Sequence, residues 1–181
     1  VILSLCLLPY PFFLLAAEQP NIIYILADDM GYGDVAANNP NCKFPTPFLD
    51  QLAEEGMRFS DAHTNSSVCT PTRYGILTGR YSWRTRLKGG VLDGAAGPLI
   101  ASDRTTVATF LKKEGYNTAC VGKWHLGMSW PTKDGKKPVR SRGDNIDFTQ
   151  PIENGPNDVG FDYFYGISAS LNMPPHAYIE N

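Results

Sequence analysis

The sequence predicts an α/β fold built on a mostly parallel sheet, and three observations carry that expectation. Residues 21–27, NIIYILA, form an uninterrupted apolar run of strand length, the pattern of a strand covered on both faces. Helical spacing with start and stop residues follows three times, at 46–56, from Cys69 onward, and at 105–115. A second apolar run, 116–121, comes directly after the last of these, and strand–helix alternation is the mark of α/β architecture.

Taken in order, residues 1–17 read VILSLCLLPYPFFLLAA, an uncharged apolar stretch ending in small residues before Glu18, as a secretory h-region and its cleavage site do. A membrane span is the rival reading, but the run is short for one, and Pro9 and Pro11 interrupt it. The expectation is export to a periplasmic, extracellular or lysosomal-type compartment, with a signal peptide over 1–17 and no stable membrane insertion after its removal. A start at Val1 without a basic n-region, and an end at Asn181 without a stop signal, read as a piece of a longer chain.

The first apolar run stops at Asp28 and Asp29. Thr46 and Pro47 then supply a capping hydroxyl and a proline suited to the first helical position, with Gly56 as the stop. Residues 57–62 read as extended. A second helix begins at Cys69, carries Pro71 near its start, and ends at Gly79. Val107, Phe110 and Leu111 give a third helix, closed by Gly115. From 130 to 156 the composition turns to Pro, Gly, Asn, Lys and Arg without period, which predicts a long irregular surface loop.

Charge excludes some functions. With 16 basic and 18 acidic residues the formal net charge is -2, so no global field favours nucleic acid, and any anion binding must be local. If Cys6 leaves with the signal, Cys42, Cys69 and Cys120 remain, an odd number without the spacing of a disulfide framework or a zinc site.

Three strand or helix ends concentrate the chemistry. Asp28 and Asp29 follow the first strand, where ligands bind in doubly wound sheets, and two adjacent carboxylates suit a hard divalent cation; the alternative is a turn cap beside a solvated acid. Cys69 sits at a helix N-terminus with Arg73 one turn later on the same side, an arrangement that suits an anion or lowers a thiol pKa; the alternative is a buried structural cysteine. Lys123 and His125 follow the run ending at Val121, two apart, so in an extended segment they point to one side; the alternative is a pair of surface groups. His63 reads as packed beside a strand, His176 as a loop residue, and Cys42 and Cys120 as structural. Lys133, Lys136, Lys137, Arg140 and Arg142 read as a solvated face that could also meet a polyanion.

Together these segments resemble a known family. Cys69-Thr70-Pro71-Thr72-Arg73 with Leu77-Thr78-Gly79-Arg80 is similar to the formylglycine-dependent sulfatase signature C-x-P-x-R…LTGR, and Gly122-Lys123-Trp124-His125-Leu126-Gly127 to its second signature. Asp28 to Asp34, DDMGYGD, resembles the first strand's metal turn, and all three occur in family order. The resemblance implies an alkaline-phosphatase-like α/β sandwich with a central, mostly parallel sheet, here its N-terminal part over 18–181.

The resemblance also implies a mechanism. Cys69 would be oxidised to formylglycine (3-oxoalanine) by a formylglycine-generating enzyme. One oxygen of the hydrated aldehyde would attack the sulfur of a sulfate ester, and the second hydroxyl, deprotonated with help from His125, would then eject sulfate. Asp28, Asp29 and residue 69 would bind calcium, Arg73 and Lys123 would neutralise charge, and Ser170 falls at a family position near the sulfate pocket. Substrates would be sulfated small molecules or polysaccharides. Further family groups would lie beyond Asn181, so the 181 residues alone are expected to show no appreciable turnover. The alternatives are a phosphodiesterase or phosphonate monoester hydrolase of the same fold, and a non-catalytic anion-binding module.

Overall fold

A computed structural model of the chain describes residues 19–139 and 142–181; the run 1–17, with its expected signal peptide, and Arg140 lie outside them. The chain divides into two compact units, Val1–Gly56 and Met57–Asn181, taken here in turn. No helix among the described residues is long and apolar enough to cross a membrane.

In the first unit, helix α1 (Pro47–Glu55) forms where Pro47 and Gly56 bracket it. Thr46 does not cap the helix backbone. Its hydroxyl accepts from the Ala36 N–H at 2.9 Å and donates to Asp50 Oδ1 at 3.0 Å, and Asp50 Oδ1 also accepts from the Ala37 N–H at 2.7 Å. These bonds tie the preceding loop to the first turn of α1. Residues 21–27, expected as a buried strand, form none, and Ile23 and Ile25 are 84% and 83% exposed. An apolar run records how much cover a strand requires, but it names no partner, and a ladder needs a second backbone to supply its hydrogen bonds.

The second unit corrects the sequence reading at its start as well. Residues 57–62 are exposed coil and turn, and His63 is not packed beside a strand but solvent-facing, 2.7 Å from Asp61. Helix α2 (Cys69–Thr78) begins and ends as expected, with Gly79 left-handed at φ 64° and its N–H donating to the Gly75 carbonyl at 2.8 Å. Helix α3 (Val107–Lys113) is capped by Thr106, which accepts from the Thr109 N–H at 3.1 Å while the Thr109 hydroxyl accepts from the Thr106 N–H at 2.8 Å.

Strand β1 (Ala119–Lys123) pairs in parallel with β2 (Tyr163–Ile167), which pairs antiparallel with β3 (Tyr178–Glu180). The described sheet is thus mixed. The strand expected at 116–121 starts later because the helix end consumes the intervening residues: the Gly115 and Tyr116 N–H groups donate back to Lys112 and Leu111. Gly166 lies in register with Gly122, and a Cβ on it would stand 1.7 Å from the Gly122 carbonyl oxygen, so the two backbones meet without side chains. Phe164, 0% exposed, anchors the covered face against Trp124, 6.4 Å away ring to ring. The described residues between 130 and 156 are irregular as expected, with only two isolated bridges among them.

The entry to the β1–β2 ladder is stapled by Asp162. Its carboxylate accepts from the Thr118 N–H at 2.8 Å and hydroxyl at 3.0 Å and pairs with Lys112 at 2.5 Å. Lys112 first, then Thr118, hold this carboxyl at about 2 against an ordinary 3.8. Because the folded-state value is the depressed one, the stabilisation is complete above 3.8 and is lost as pH falls through about 2. Titration of the Asp162 carboxyl by NMR should give a midpoint near 2, moving up towards 3.8 in Lys112→Ala; a midpoint near 3.8 in both proteins contradicts the staple.

Candidate functional site

In the second unit the start of α2, the segment around Leu92 and the turn leaving β1 are tied to one another. Val68 is extended and Cys69 is the first residue of α2, half-buried and free of any disulfide. The first turn of α2 is fastened from outside: Asn65 Nδ2 donates to the Pro71 carbonyl at 2.8 Å, and the Thr72 hydroxyl to the Ser66 carbonyl at 2.9 Å. Thr70, 0% exposed, accepts the Leu92 N–H at 3.2 Å, and the Leu92 carbonyl lies 2.7 Å from His125 Nε2. A carbonyl only accepts, so Nε2 carries the hydrogen and the neutral ring keeps its lone pair on Nδ1.

His125 is fully buried and left-handed, with φ 56°. Its N–H and that of Trp124 donate to the Ser168 and Ile167 carbonyls at 2.9 Å each, which prolongs the β1–β2 contact past Lys123. The expectation that Lys123 and His125 share one side of an extended segment is therefore corrected: a positive-φ residue breaks the alternation. The turn is possible because Gly127, at φ 73°, has no Cβ; one would stand 2.0 Å from the Gly97 carbonyl oxygen.

Arg73, half-buried on α2, donates from Nη1 to the Lys123 main-chain carbonyl, so the structure joins these two predicted residues across α2 and β1. Burial pushes the Cys120 thiol up to about 11, opposed by the charge of Arg73, and keeps it a protonated core group, as a structural cysteine should be. Ser170 is half-buried in the segment after β2, its carbonyl accepting from Met173 at 2.9 Å. Its neighbour Ser168 is 3% exposed, and its hydroxyl has no partner among the described residues.

Asp28 and Asp29 occupy an exposed turn of the first unit. Their donor set is all oxygen, which fits calcium rather than a soft metal. Among the described residues no group of three or more His, Cys, Asp or Glu could hold a metal ion. Asn65, Thr70, Leu92 and Ser168 had escaped the sequence reading. Thr70 lies inside the cysteine motif and could have been suspected, whereas Leu92 acts through its main-chain N–H and carbonyl and leaves no side-chain signal.

The family model described as Sulfatase matches residues 20–180. The chain belongs to the sulfatase family. It is 38% identical over 165 residues to the N-acetylgalactosamine-6-O-sulfatase of Bacteroides thetaiotaomicron, covering 91% of this chain and 30% of that relative. It is 41% identical over 157 residues to arylsulfatase G of Mus musculus, covering 87% of this chain and 25% of the relative. A solved structure from work on glycosaminoglycan metabolism by Bacteroides thetaiotaomicron superimposes with a TM-score of 0.78 at 38% identity, covering 91% of this chain and 32% of that one. The chain therefore spans about a third or less of these sulfatases, and the alkaline-phosphatase-like class expected from the sequence holds.

The buried Thr70–Leu92–His125 connection is testable in this sulfatase chain. Thr70→Val keeps the shape and removes the acceptor for a buried N–H, which should lower the unfolding free energy by about 1–3 kcal/mol, while Thr70→Ser should restore most of it. Denaturant titration that finds Thr70→Val as stable as the parent contradicts the connection.

Proposed function

We propose that this chain is the N-terminal part of a sulfuric ester hydrolase whose nucleophile derives from Cys69, and that it acts on sulfated carbohydrates or aryl sulfates after export. One observation carries the reading: Thr70, next to residue 69, and His125 bond to the N–H and the carbonyl of the same residue, Leu92, which ties the helix start to the imidazole. An oxidised Cys69, made by a formylglycine-generating enzyme, supplies an oxygen nucleophile for sulfur and a second hydroxyl for release of sulfate. By the family resemblance Asp28 and Asp29, with residue 69, would be the groups to hold calcium, which would supply Lewis-acid polarisation of the sulfuryl oxygens.

The remaining work falls to side chains of this chain. The N-terminus of α2 presents residue 69 together with its first-turn N–H groups, which favour an anion. Arg73, oriented by the Lys123 carbonyl, brings a fixed positive charge to the same helix, and Lys123 adds a second. His125, its Nε2 hydrogen held by Leu92, keeps Nδ1 as the nitrogen that can take a proton. By the family resemblance Ser170 would contact the sulfate. The Bacteroides relative named for an N-acetylgalactosamine-6-O-sulfate supports a carbohydrate substrate.

The full-length protein assayed on an aryl sulfate and an aryl phosphodiester should favour the sulfate, and chelation of calcium should abolish that turnover. Lys123→Ala should lower kcat/KM by about a hundredfold. Preference for the phosphodiester, or turnover indifferent to both changes, contradicts the proposal.

A further inference from the structure

Asn154 and Gly155 form the one Asn-Gly pair in the sequence. An amide nitrogen that follows an asparagine can attack its side-chain carbonyl carbon, and glycine, having no Cβ, hinders that approach least. In the fold both reacting groups are tied down. The Gly155 N–H donates to Asp158 Oδ2 at 2.9 Å, and Asn154 Nδ2 donates to Ser129 Oγ at 3.0 Å. Ser129 is itself fixed by two main-chain bonds with Glu153, at 2.7 and 3.2 Å.

The backbone explains the asparagine but not the glycine. Asn154 is left-handed at φ 53°, a conformation that asparagine tolerates better than most side chains, so the turn favours it. Gly155 lies outside the left-handed region, and a Cβ on it would meet only Ile152 Cγ2, at 4.0 Å, which is ordinary contact. The conformation therefore does not require glycine at 155, while its small size leaves the nitrogen open to reaction. Asn154 is exposed, whereas Gly155 and Pro156 are buried.

From these contacts we propose that Asn154-Gly155 is a latent deamidation site, kept closed by Asp158 and Ser129. Reaction requires the Gly155 nitrogen to lose its proton and form a bond to Asn154 Cγ, while the Cγ–Nδ2 bond breaks and Nδ2 leaves as ammonia. Water then opens the succinimide at either carbonyl to give aspartate or isoaspartate, so one water is consumed for each ammonia released. The Asp158 carboxylate opposes the first step twice: it holds the hydrogen that must leave, and its charge disfavours an amide anion beside it. Ser129 opposes the approach, because the carboxamide must release the hydroxyl before it can turn towards Gly155.

Either product disturbs the turn that follows. Aspartate at 154 adds a carboxylate next to Glu153 and close in sequence to Asp158, and isoaspartate lengthens the main chain by one carbon just before buried Gly155. Pro156 accepts the Val159 and Phe161 N–H groups at 3.3 Å each, and the Val159 carbonyl accepts the hydroxyl of Thr106, the cap of α3, at 2.6 Å. Damage at 154 thus reaches the start of a helix distant in sequence.

The test is independent of the chemistry at residue 69. Full-length protein is held at neutral pH, and conversion at 154 is followed by mass spectrometry of its peptide and by labelling with an isoaspartate methyltransferase. The folded parent should convert at least about tenfold more slowly than the same protein in urea, and Asp158→Ala should speed conversion in the folded state about tenfold. Ser129→Ala, which removes a single hydroxyl, should act in the same direction should Asp158→Ala fail to fold. Gly155→Ala should suppress conversion in both folded protein and urea. A parent that converts as fast folded as in urea, or Asp158→Ala and Ser129→Ala variants that convert no faster than the parent, overturns the proposal.

Discussion

Both main-chain polar groups of Leu92 are bonded inside the second unit, its N–H to the Thr70 hydroxyl at 3.2 Å and its carbonyl to His125 Nε2 at 2.7 Å. Thr70 and His125 are each 0% exposed, so neither bond has water as a substitute, and losing one leaves a buried polar group whose desolvation is not recovered. The position of residue 69 at the head of α2 and the tautomer of His125 are consequently coupled through one backbone unit. A site built this way keeps its geometry by core satisfaction rather than by surface ion pairs, which contribute little.

The β1–β2 ladder fixes the other half. The close approach of Gly122 and Gly166 brings the parallel strands into register, and the same contact continues through Trp124 and His125 to the residues after β2. Lys123 ends the ladder with its carbonyl turned to Arg73, so main chain takes part in positioning the α2 guanidinium. Preorganised cations of this kind need no reorganisation when an anion arrives. The Cys120 thiol, kept protonated by burial close to Arg73, adds no competing negative charge.

Helices were legible in the sequence because their signals are local. Pro47 and Gly56, Cys69 and Gly79, and Thr106 with Gly115 bound α1, α2 and α3 as propensity and capping predict. Strands were less legible because their partners are non-local: the apolar run 21–27 is exposed and unladdered, while β3, only Tyr178–Glu180, carried no pattern long enough to read. The motif residues Cys69, Arg73, Lys123 and His125 could be named in advance. The left-handed turn at His125 and the role of Leu92 could not, because the first depends on the Gly97 and Gly127 contact and the second on main-chain groups that nearly every residue possesses.

The chemistry assigned to this site turns on what residue 69 is in the native protein. Cys69, half-buried at the first position of α2 and outside any disulfide, is the residue on which the proposed oxidation to the aldehyde would act. Mass spectrometry of the peptide containing residue 69, from protein made in its native host, measures this directly. Formylglycine predicts a loss of about 18 Da relative to the cysteine peptide, whereas finding only unmodified thiol would contradict a nucleophile derived from Cys69.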